Sequence, residues 1–111
     1  MPLPLRFPQA TIAVSGTTSG AVDCDGDTLC GVFLPSTFDG TALSFTVCDT
    51  AGGTYVPLHS NGAALSVTVA ASTYVALDPS VFAGVRHVKF VAGSAQSTTD
   101  TVLTAAVRPV G

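Results

Sequence analysis

Polar and apolar residues alternate along several short stretches of the chain. In 43–47, Leu43, Phe45 and Val47 fall on one side, and a serine and a threonine fall on the other. The stretch 65–69 repeats this pattern with Leu, Ser, Val, Thr and Val. Because successive side chains of a β-strand point to opposite faces, a period of two predicts strands with one face on a core and one toward water.

Other apolar stretches predict further strands. Three are clear and three are weaker: 29–34, 86–91 and 101–108 in the first group, and 11–15, 54–58 and 73–77 in the second. The evenly apolar stretch 29–34 is expected to be a central strand. Turn sequences containing glycine separate these stretches at 38–40, 50–53 and 60–62. We therefore predict an all-β fold, a single antiparallel β-sandwich or jelly roll of about eight strands.

Only the stretch 78–84 has the character of a helix. Asp78 is suited to the N-cap, Pro79 to the first helical position, and Gly84 to the end of the turn. The stretch is long enough for one or two turns, so we expect one short helical turn.

Residues 1–9 are predicted to form an extended N-terminal arm, and 10–111 the β-sandwich domain. The arm contains three prolines, which favour an extended backbone, and Leu3, Leu5 and Phe7 alternate along it. Large apolar side chains are costly to leave in water, so these three are the candidate partner-binding residues, in an arm that lies on a neighbouring subunit. A frayed terminus is the alternative.

Ionisable side chains are scarce. Asp, Lys and Arg make up 10% of the chain, Glu is absent, and the formal net charge is −3. A surface covered by Ser, Thr, Gly and Ala desolvates easily, which favours contact between subunits over a protein that is simply kept soluble by hydroxyl groups. Four scattered basic residues form no basic patch, so neither nucleic acid nor a membrane surface is an expected partner.

Three cysteines, Cys24, Cys30 and Cys48, leave at least one thiol outside any intramolecular disulfide. Cys24 and Cys30 are close enough in sequence to close a short loop, but their spacing alone does not establish a bond. We favour free, buried thiols.

The three carboxylates Asp23, Asp25 and Asp27 are the best metal candidates, since Ca²⁺ prefers oxygen ligands. The glycine of this stretch does not stand at the position that a calcium-binding EF-hand loop requires. Asp and Gly also form turns without an ion, so a structural turn is preferred. We expect no metal and no cofactor.

No catalytic motif surrounds a serine or cysteine, and no phosphate-binding loop precedes a helix. His59 and His87 lie in different segments, and His87 is expected on a solvated face with Lys89, opposite Val88 and Phe90. A Cys–His nucleophile pair stays open at this stage. We nevertheless expect no enzyme and no catalytic residues.

Aromatic residues suggest a second kind of site. Tyr55, Tyr74 and Phe38 could form a platform on which a sugar stacks, but the chain has no Trp and only two Tyr. We expect these rings to pack in the core instead.

The order of several segments resembles a known group of proteins. The segments are ATIAVS at 10–15, GVFLPSTFDGTALSF at 31–45, GTYVPL at 53–58, YVALDPSVFAG at 74–84 and TVLTAAVRP at 101–109. Together they cover most of 10–109 and resemble small β-sandwich virion structural proteins of tailed bacteriophages, of the capsid decoration or cement type. These motifs are built from strand, turn and capping residues, so the resemblance transfers no catalytic residues.

The resemblance implies a role on the outer surface of a capsid. The expected partners are the major capsid protein and further copies of the chain itself, with a trimer as one arrangement. An alternative within the virion is an adaptor at the neck, the tail or a fibre. A carbohydrate-binding module that recognises a host surface is the alternative of a different class.

Overall fold

The computed structural model describes residues 6–24, 27–50, 52–60, 62–82, 85–97 and 100–109. Eleven strands lie in this part of the chain: β1 (Gln9–Ile12), β2 (Val22–Asp23), β3 (Asp27–Phe33), β4 (Ala42–Cys48), β5 (Val56–Pro57), β6 (His59–Ser60), β7 (Ala63–Ala64), β8 (Ser66–Thr68), β9 (Tyr74–Ala76), β10 (His87–Ala92) and β11 (Thr101–Pro109). All of their pairings are antiparallel.

The strands form two main sheets with one hydrophobic core. The four-stranded sheet has the order β1-β11-β3-β9, and the five-stranded sheet has the order β2-β10-β4-β5, with β8 also paired to β4. Strands β6 and β7 form a separate hairpin. The all-β sandwich predicted from the alternation is therefore confirmed.

Each of the eight predicted strand stretches overlaps a strand of the structure. The stretch 29–34 corresponds to β3, which lies between β11 and β9 as a central strand. Strands β2, β6 and β7 were not predicted, because each has only two residues, too few to show a period; β5 is equally short but lies within the predicted stretch 54–58. Gly40 and Gly62 have φ angles of 112° and 83°, as expected for glycines in two of the predicted turns.

The predicted helical turn is a short 3-10 helix at Pro79–Phe82. It begins as expected, since the amide of Val81 donates a hydrogen bond of 3.1 Å to the carbonyl of Asp78. Gly84, proposed to end the turn, lies outside the described residues. Within the described residues, no helix is long and apolar enough to cross a membrane.

Three phenylalanines form the centre of the core. Phe45 on β4 and Phe90 on β10 are register partners, and Phe82 lies on the 3-10 helix. Phe45 meets Phe82 and Phe90 edge to face, with ring centroids 5.1 and 5.8 Å apart. Because each ring is almost fully buried, each contributes about 1.5–3 kcal/mol by leaving water.

A buried amide joins the loops at one end of the sandwich. Gln96 accepts hydrogen bonds from the Asp39 amide (2.9 Å) and the Thr101 hydroxyl (3.0 Å). Its side-chain NH₂ donates to the carbonyls of Asp39 (3.0 Å) and Ser94 (3.1 Å). Both N–H donors and both acceptor positions of the Gln96 side chain are therefore hydrogen-bonded, as burial of an amide requires.

The N-terminal residues that the structure describes follow the edge of the four-stranded sheet. Arg6 and Val107 exchange two backbone hydrogen bonds of 3.0 Å, and the Ala105 amide donates to the Pro8 carbonyl at 2.8 Å. The Arg6 guanidinium also donates to the Cys24 carbonyl at 2.8 Å. Backbone pairing to β11 therefore extends from β1 back to Arg6. The division into an arm at 1–9 and a domain at 10–111 stays a prediction.

Candidate interaction surface

The outer face of the four-stranded sheet carries a group of large apolar side chains. Phe33 and Tyr74 are each 45% exposed, Phe7 is 52% exposed and Val102 is 40% exposed. They are four of the six large hydrophobic residues that stand substantially exposed in the described part of the chain. We call these four residues the apolar face. Such a concentration on one face is typical of a contact surface.

The three aromatic rings of the apolar face lie side by side across the sheet. The centroids of Phe7 and Phe33 are 6.4 Å apart, and those of Phe33 and Tyr74 are 4.5 Å apart. Both pairs are tilted, at 56° and 49°, within the range that aromatic pairs prefer. The rings therefore form a continuous aromatic strip.

Gly31 makes room for one end of this strip. A Cβ atom at Gly31 would overlap the hydroxyl and ring atoms of Tyr74. The ring can therefore lie across β3, where its hydroxyl donates to the Cys30 carbonyl at 3.5 Å. Burial raises the pKa of the Tyr74 phenol, and the negative charge of an ionised Cys30 raises it further.

A β-bulge lies beneath the same region. Leu29 pairs with Val107 and Gly31 pairs with Ala106, which leaves Cys30 as the extra residue of β3. The Cys30 thiol donates to the Ala106 carbonyl at 3.3 Å. The bulge preserves the inward position of Leu29 and Val107, which are fully buried, while Phe33 and Tyr74 stay on the outer face.

Among the residues that the structure describes, no ionised side chain lies at the centre of the apolar face. The neighbouring outward positions described on β1, β11 and β9 carry uncharged residues: Gln9, Thr11, Thr104, Ala106 and Ala76. The charged residue at the margin is Arg108, which is exposed near the end of β11. A partner surface can therefore cover this face without burying a formal charge, which would be costly.

The opposite side of the molecule has a different character. Asp23 on β2, His87 on β10 and Cys48 on β4 are register partners and form one row across the five-stranded sheet. Arg86 donates to Asp23 with an Nε–Oδ1 distance of 3.3 Å, and His87 Nδ1 lies 4.0 Å from the same oxygen. Several of the few ionisable side chains of this chain therefore lie on the outer face of the five-stranded sheet.

The expectation that His87 lies on a solvated face is wrong. His87 is buried although it faces away from the core. The Lys89 ammonium lies 4.3 Å from the Tyr55 ring centroid. Burial, followed by the negative charges of Cys48 and Asp23, raises the pKa of the Tyr55 phenol. Tyr55 therefore lies on the same face of the sheet as Lys89.

A cavity of about 300 Å³ opens beside this row. Its lining combines three valines with a thiol, a hydroxyl and two charged groups: Val47, Val56, Val85, Cys48, Thr54, Asp49 and Arg86. Apolar walls with a few polar groups are the usual lining of a small-molecule site.

Of the three candidate aspartates, the structure describes the side chain of Asp23. Asp23 pairs with Arg86, Asp25 lies outside the described residues, and Asp27 begins β3 with its side chain undescribed. Among the residues that the structure describes, no group of three His, Cys, Asp or Glu side chains is placed to hold a metal ion. None of the three cysteines forms a disulfide.

The other candidates have mixed outcomes. Phe38 is buried in the core as expected, but Tyr74 is exposed, so core packing was the wrong expectation for that ring. Tyr55 is half-buried against Lys89. Of the three candidate partner-binding residues in the arm, Phe7 joins the apolar face, and Leu3 and Leu5 lie outside the described residues.

Phe33 and Val102 were not identified from the sequence as surface residues. Phe33 follows the buried Val32, and Val102 precedes the buried Leu103. Because adjacent side chains of a strand point to opposite faces, alternation could have placed both residues on the outer face. The evenly apolar composition of 29–34 concealed that signal. The apolar face is thus a surface suited to contact.

No family model, curated protein or solved structure matches the chain.

Proposed function

We propose that the chain is a structural virion protein of a tailed phage, a capsid decoration or cement protein that binds the coat lattice through its apolar face. The observation that carries this proposal is the aromatic strip of Phe7, Phe33 and Tyr74, which stays exposed on an uncharged sheet face. The resemblance of the strand and turn segments to phage virion proteins supplies the kind of partner.

The size of the apolar face supports binding in many copies. Four strands at their usual spacing and about five residues of strand length give a patch of roughly 300 Å². A stable complex of two proteins buries about 800 Å² on each partner. The apolar face therefore needs additional contacts, which the N-terminal arm with Leu3 and Leu5, or neighbouring copies of the chain, would provide. A repeating lattice offers both at once.

The two sides of the sandwich suit this arrangement. With the apolar face against the major capsid protein, the half-exposed pair of Asp23 and Arg86 faces solvent on the outer surface of the capsid. Charged groups then stay hydrated while apolar area is buried, which is the favourable combination. The role is structural and non-catalytic, with copies of the chain meeting around a local symmetry axis.

The exposure of Tyr74 supports a second candidate. An exposed ring beside Phe33 offers a stacking platform for a sugar, as in a module that binds a host-surface carbohydrate. An adaptor at the neck, tail or fibre would use the same face against a different protein. Position on the particle separates the adaptor from the decoration protein, and glycan-array binding that is lost in Tyr74→Ala identifies the module.

The test is reconstitution on particles that lack the chain. Purified protein is mixed with such particles, sedimented, and quantified per particle. We expect saturable binding of many copies, with gold-labelled antibody spread over the whole head. A Leu3→Ser/Leu5→Ser variant should bind more weakly and keep its fold, because Arg6 and Pro8 still pair with β11. Label confined to the neck or tail, or absent from the particle, would contradict the proposal.

A further inference from the structure

One edge of the four-stranded sheet is open. Strand β9 lies at the end of the order β1-β11-β3-β9, so one of its sides has no neighbouring strand among the described residues. We propose that this edge pairs with the same edge of a second copy of the chain, antiparallel and around a two-fold axis. The two four-stranded sheets then form one continuous sheet. The inference goes beyond the proposed function and does not depend on it, since such a dimer needs no particle.

The hydrogen bonds between β3 and β9 show which backbone groups face the open side. The carbonyl of Thr73 accepts a hydrogen bond from the chain that ends β3 at 2.8 Å, and the amide of Leu77 donates to β3 at 3.0 Å. Alternate residues of an antiparallel strand direct their N–H and C=O groups to opposite sides. The backbone groups of Tyr74 and Ala76 therefore point away from β3, and they have no hydrogen-bond partner in the part of the chain that the structure describes.

The side chains of β9 leave this edge accessible. Tyr74 and Ala76 are both exposed on the outer face of the sheet. The Tyr74 ring leans away from the edge, over Gly31 and toward Phe33, with the two ring centroids 4.5 Å apart. Natural proteins usually protect an edge strand with a charged side chain, a proline or a bulge. Strand β9 has the sequence Tyr-Val-Ala, so it carries neither a charge nor a proline.

The open edge is complementary to a second copy of itself. When two β9 strands meet antiparallel with Val75 opposite Val75, Tyr74 of each copy lies opposite Ala76 of the other. Residues opposite each other in this position exchange two hydrogen bonds, so the two pairs use every outward N–H and C=O group of both strands. A shift of the register by two residues would leave some of these groups unpaired. The edge therefore specifies one register.

Charge does not oppose this pairing. A two-fold axis brings residues near the axis close to their own copies, and like charges directly opposite each other destabilise a sheet. The charged residue nearest to β9 in sequence is Asp78, which lies beyond the end of the strand. The formal net charge of the whole chain is only −3, so long-range repulsion between two copies is also weak.

The opposite edge of the sheet is less open. The amide of Gly20 donates to the carbonyl of Thr11 at 3.2 Å, which covers one end of β1. The carbonyl of Pro8 accepts from β11 at 2.8 Å, so the backbone groups of the next residue, Gln9, point away from β11. Pairing of β1 in one copy with β9 in the next would give an open chain or a larger ring, whereas pairing of β9 with β9 closes with two copies.

The dimer has a consequence for the apolar face. Residues that pair across the new contact have their side chains on the same face, so the apolar faces of both copies lie on one side of the continuous sheet. The apolar area of roughly 300 Å² in one copy is thereby about doubled. The joined face comes close to the roughly 800 Å² that each partner buries in a stable complex.

Hydrogen exchange of the backbone amides tests the contact directly. NMR over a dilution series reads each amide, and analytical ultracentrifugation gives the mass at the same concentrations. Because β9 is short, we expect a weak dimer that dissociates on dilution, with the amides of Tyr74 and Ala76 exchanging slowly in the dimer and fast in the monomer. The amide of Gln9 should exchange fast throughout. A chain that stays monomeric over the whole series, or a dimer in which the Tyr74 and Ala76 amides exchange fast, would overturn the inference.

Proline substitutions at the two edges supply a matched pair of variants. Ala76→Pro removes an outward amide from β9, and the dimer then loses two hydrogen bonds, so self-association should weaken by about ten-fold or more. The fold should survive, because an edge strand accommodates proline where the N–H faces solvent. Gln9→Pro makes the same change at the other edge and should leave self-association unchanged. Weakening in Gln9→Pro with none in Ala76→Pro would overturn the inference, and if Ala76→Pro unfolds, exchange in the wild type decides.

Particles separate this inference from the proposed function. The dimer is measured without particles, so failure of particle binding leaves the result for β9 intact, and a monomeric chain that still coats the head leaves the decoration role intact. The coat protein is the other possible occupant of the edge. If the amides of Tyr74 and Ala76 became protected only after particles are added, the second copy would be the wrong occupant.

Discussion

Phe33 and Tyr74 are register partners on β3 and β9, and their ring centroids lie 4.5 Å apart on the outer face of the four-stranded sheet. A cross-strand aromatic pair stabilises a sheet by about 0.5–1.5 kcal/mol. Each side chain nevertheless leaves nearly half of its surface in water, at 45% exposure. That surface is available to a partner, which makes this pair the centre of the proposed contact with the capsid.

The double substitution Phe33→Ser/Tyr74→Ser should weaken binding to particles by at least ten-fold. Burying the exposed part of each ring contributes about 1 kcal/mol or more to binding, and both contributions are lost together. Sedimentation with particles measures the change, and the thermal midpoint checks the fold. Val56→Ser is the matched control, because Val56 is exposed on the other sheet. Equal losses in the two variants would show that the apolar face is not the contact.

Gly31→Ala should destabilise the fold by about 1–2 kcal/mol, because the new methyl group displaces the Tyr74 ring. The substitution should also weaken particle binding, since the ring then leaves the aromatic strip. In a Tyr74→Ala background the cost should fall close to zero. Urea unfolding of the two single variants and the double variant gives this coupling. Additive effects would mean that the ring does not lie over Gly31.

Alternation of polar and apolar residues predicts much of the fold, but it does not predict which outward-facing side chains are buried or exposed. Alternation in 43–47 indicates correctly that Leu43 and Phe45 are buried. It does not say that His87, whose side chain faces away from the core, is nevertheless buried. That outcome depends on packing between strands distant in sequence, which local propensity does not encode. Phe33 was missed for a related reason, since its apolar neighbours suggested burial on both faces.

Replacement of the buried amide should be among the most destabilising single changes. Gln96→Leu would leave the Asp39 amide, the Thr101 hydroxyl and two carbonyls without their present partner. Each buried polar group without a partner costs about 1–3 kcal/mol, so a total loss of about 3 kcal/mol or more is expected. Urea unfolding measures it. Gln9→Leu is the control, because Gln9 is exposed, and comparable losses in the two variants would contradict this account of Gln96.

Asp39 should make the fold sensitive to acid. The Ser97 amide donates to its carboxylate at 2.8 Å, and the Ser97 hydroxyl donates at 2.9 Å. These two bonds, the amide first, lower the pKa of Asp39 below the ordinary value. Because the folded-state pKa is the lower one, the stabilisation is present above the unfolded pKa of about 3.9 and is lost as the pH falls through the folded value.

Unfolding of the wild type and of Asp39→Asn, followed from pH 6 down to about pH 2, tests this sign. We expect the gap in stability between them to be constant near neutral pH and to narrow below about pH 4. In a Ser97→Ala background, the difference in stability between the Asp39 protein and its Asp39→Asn variant at neutral pH should be smaller but still present, because the backbone hydrogen bond remains. A gap that widens in acid would contradict the assignment.

Cryo-electron microscopy of intact particles tests the central claim most directly, because it shows both where the chain lies and which face it buries. The proposal predicts density for the sandwich repeated over the whole head. It also predicts that Phe7, Phe33 and Tyr74 face the coat protein, and that Asp23 and Arg86 on the five-stranded sheet face solvent. Density restricted to the neck or tail would contradict the proposal. So would a sandwich that contacts the coat protein through the outer face of its five-stranded sheet.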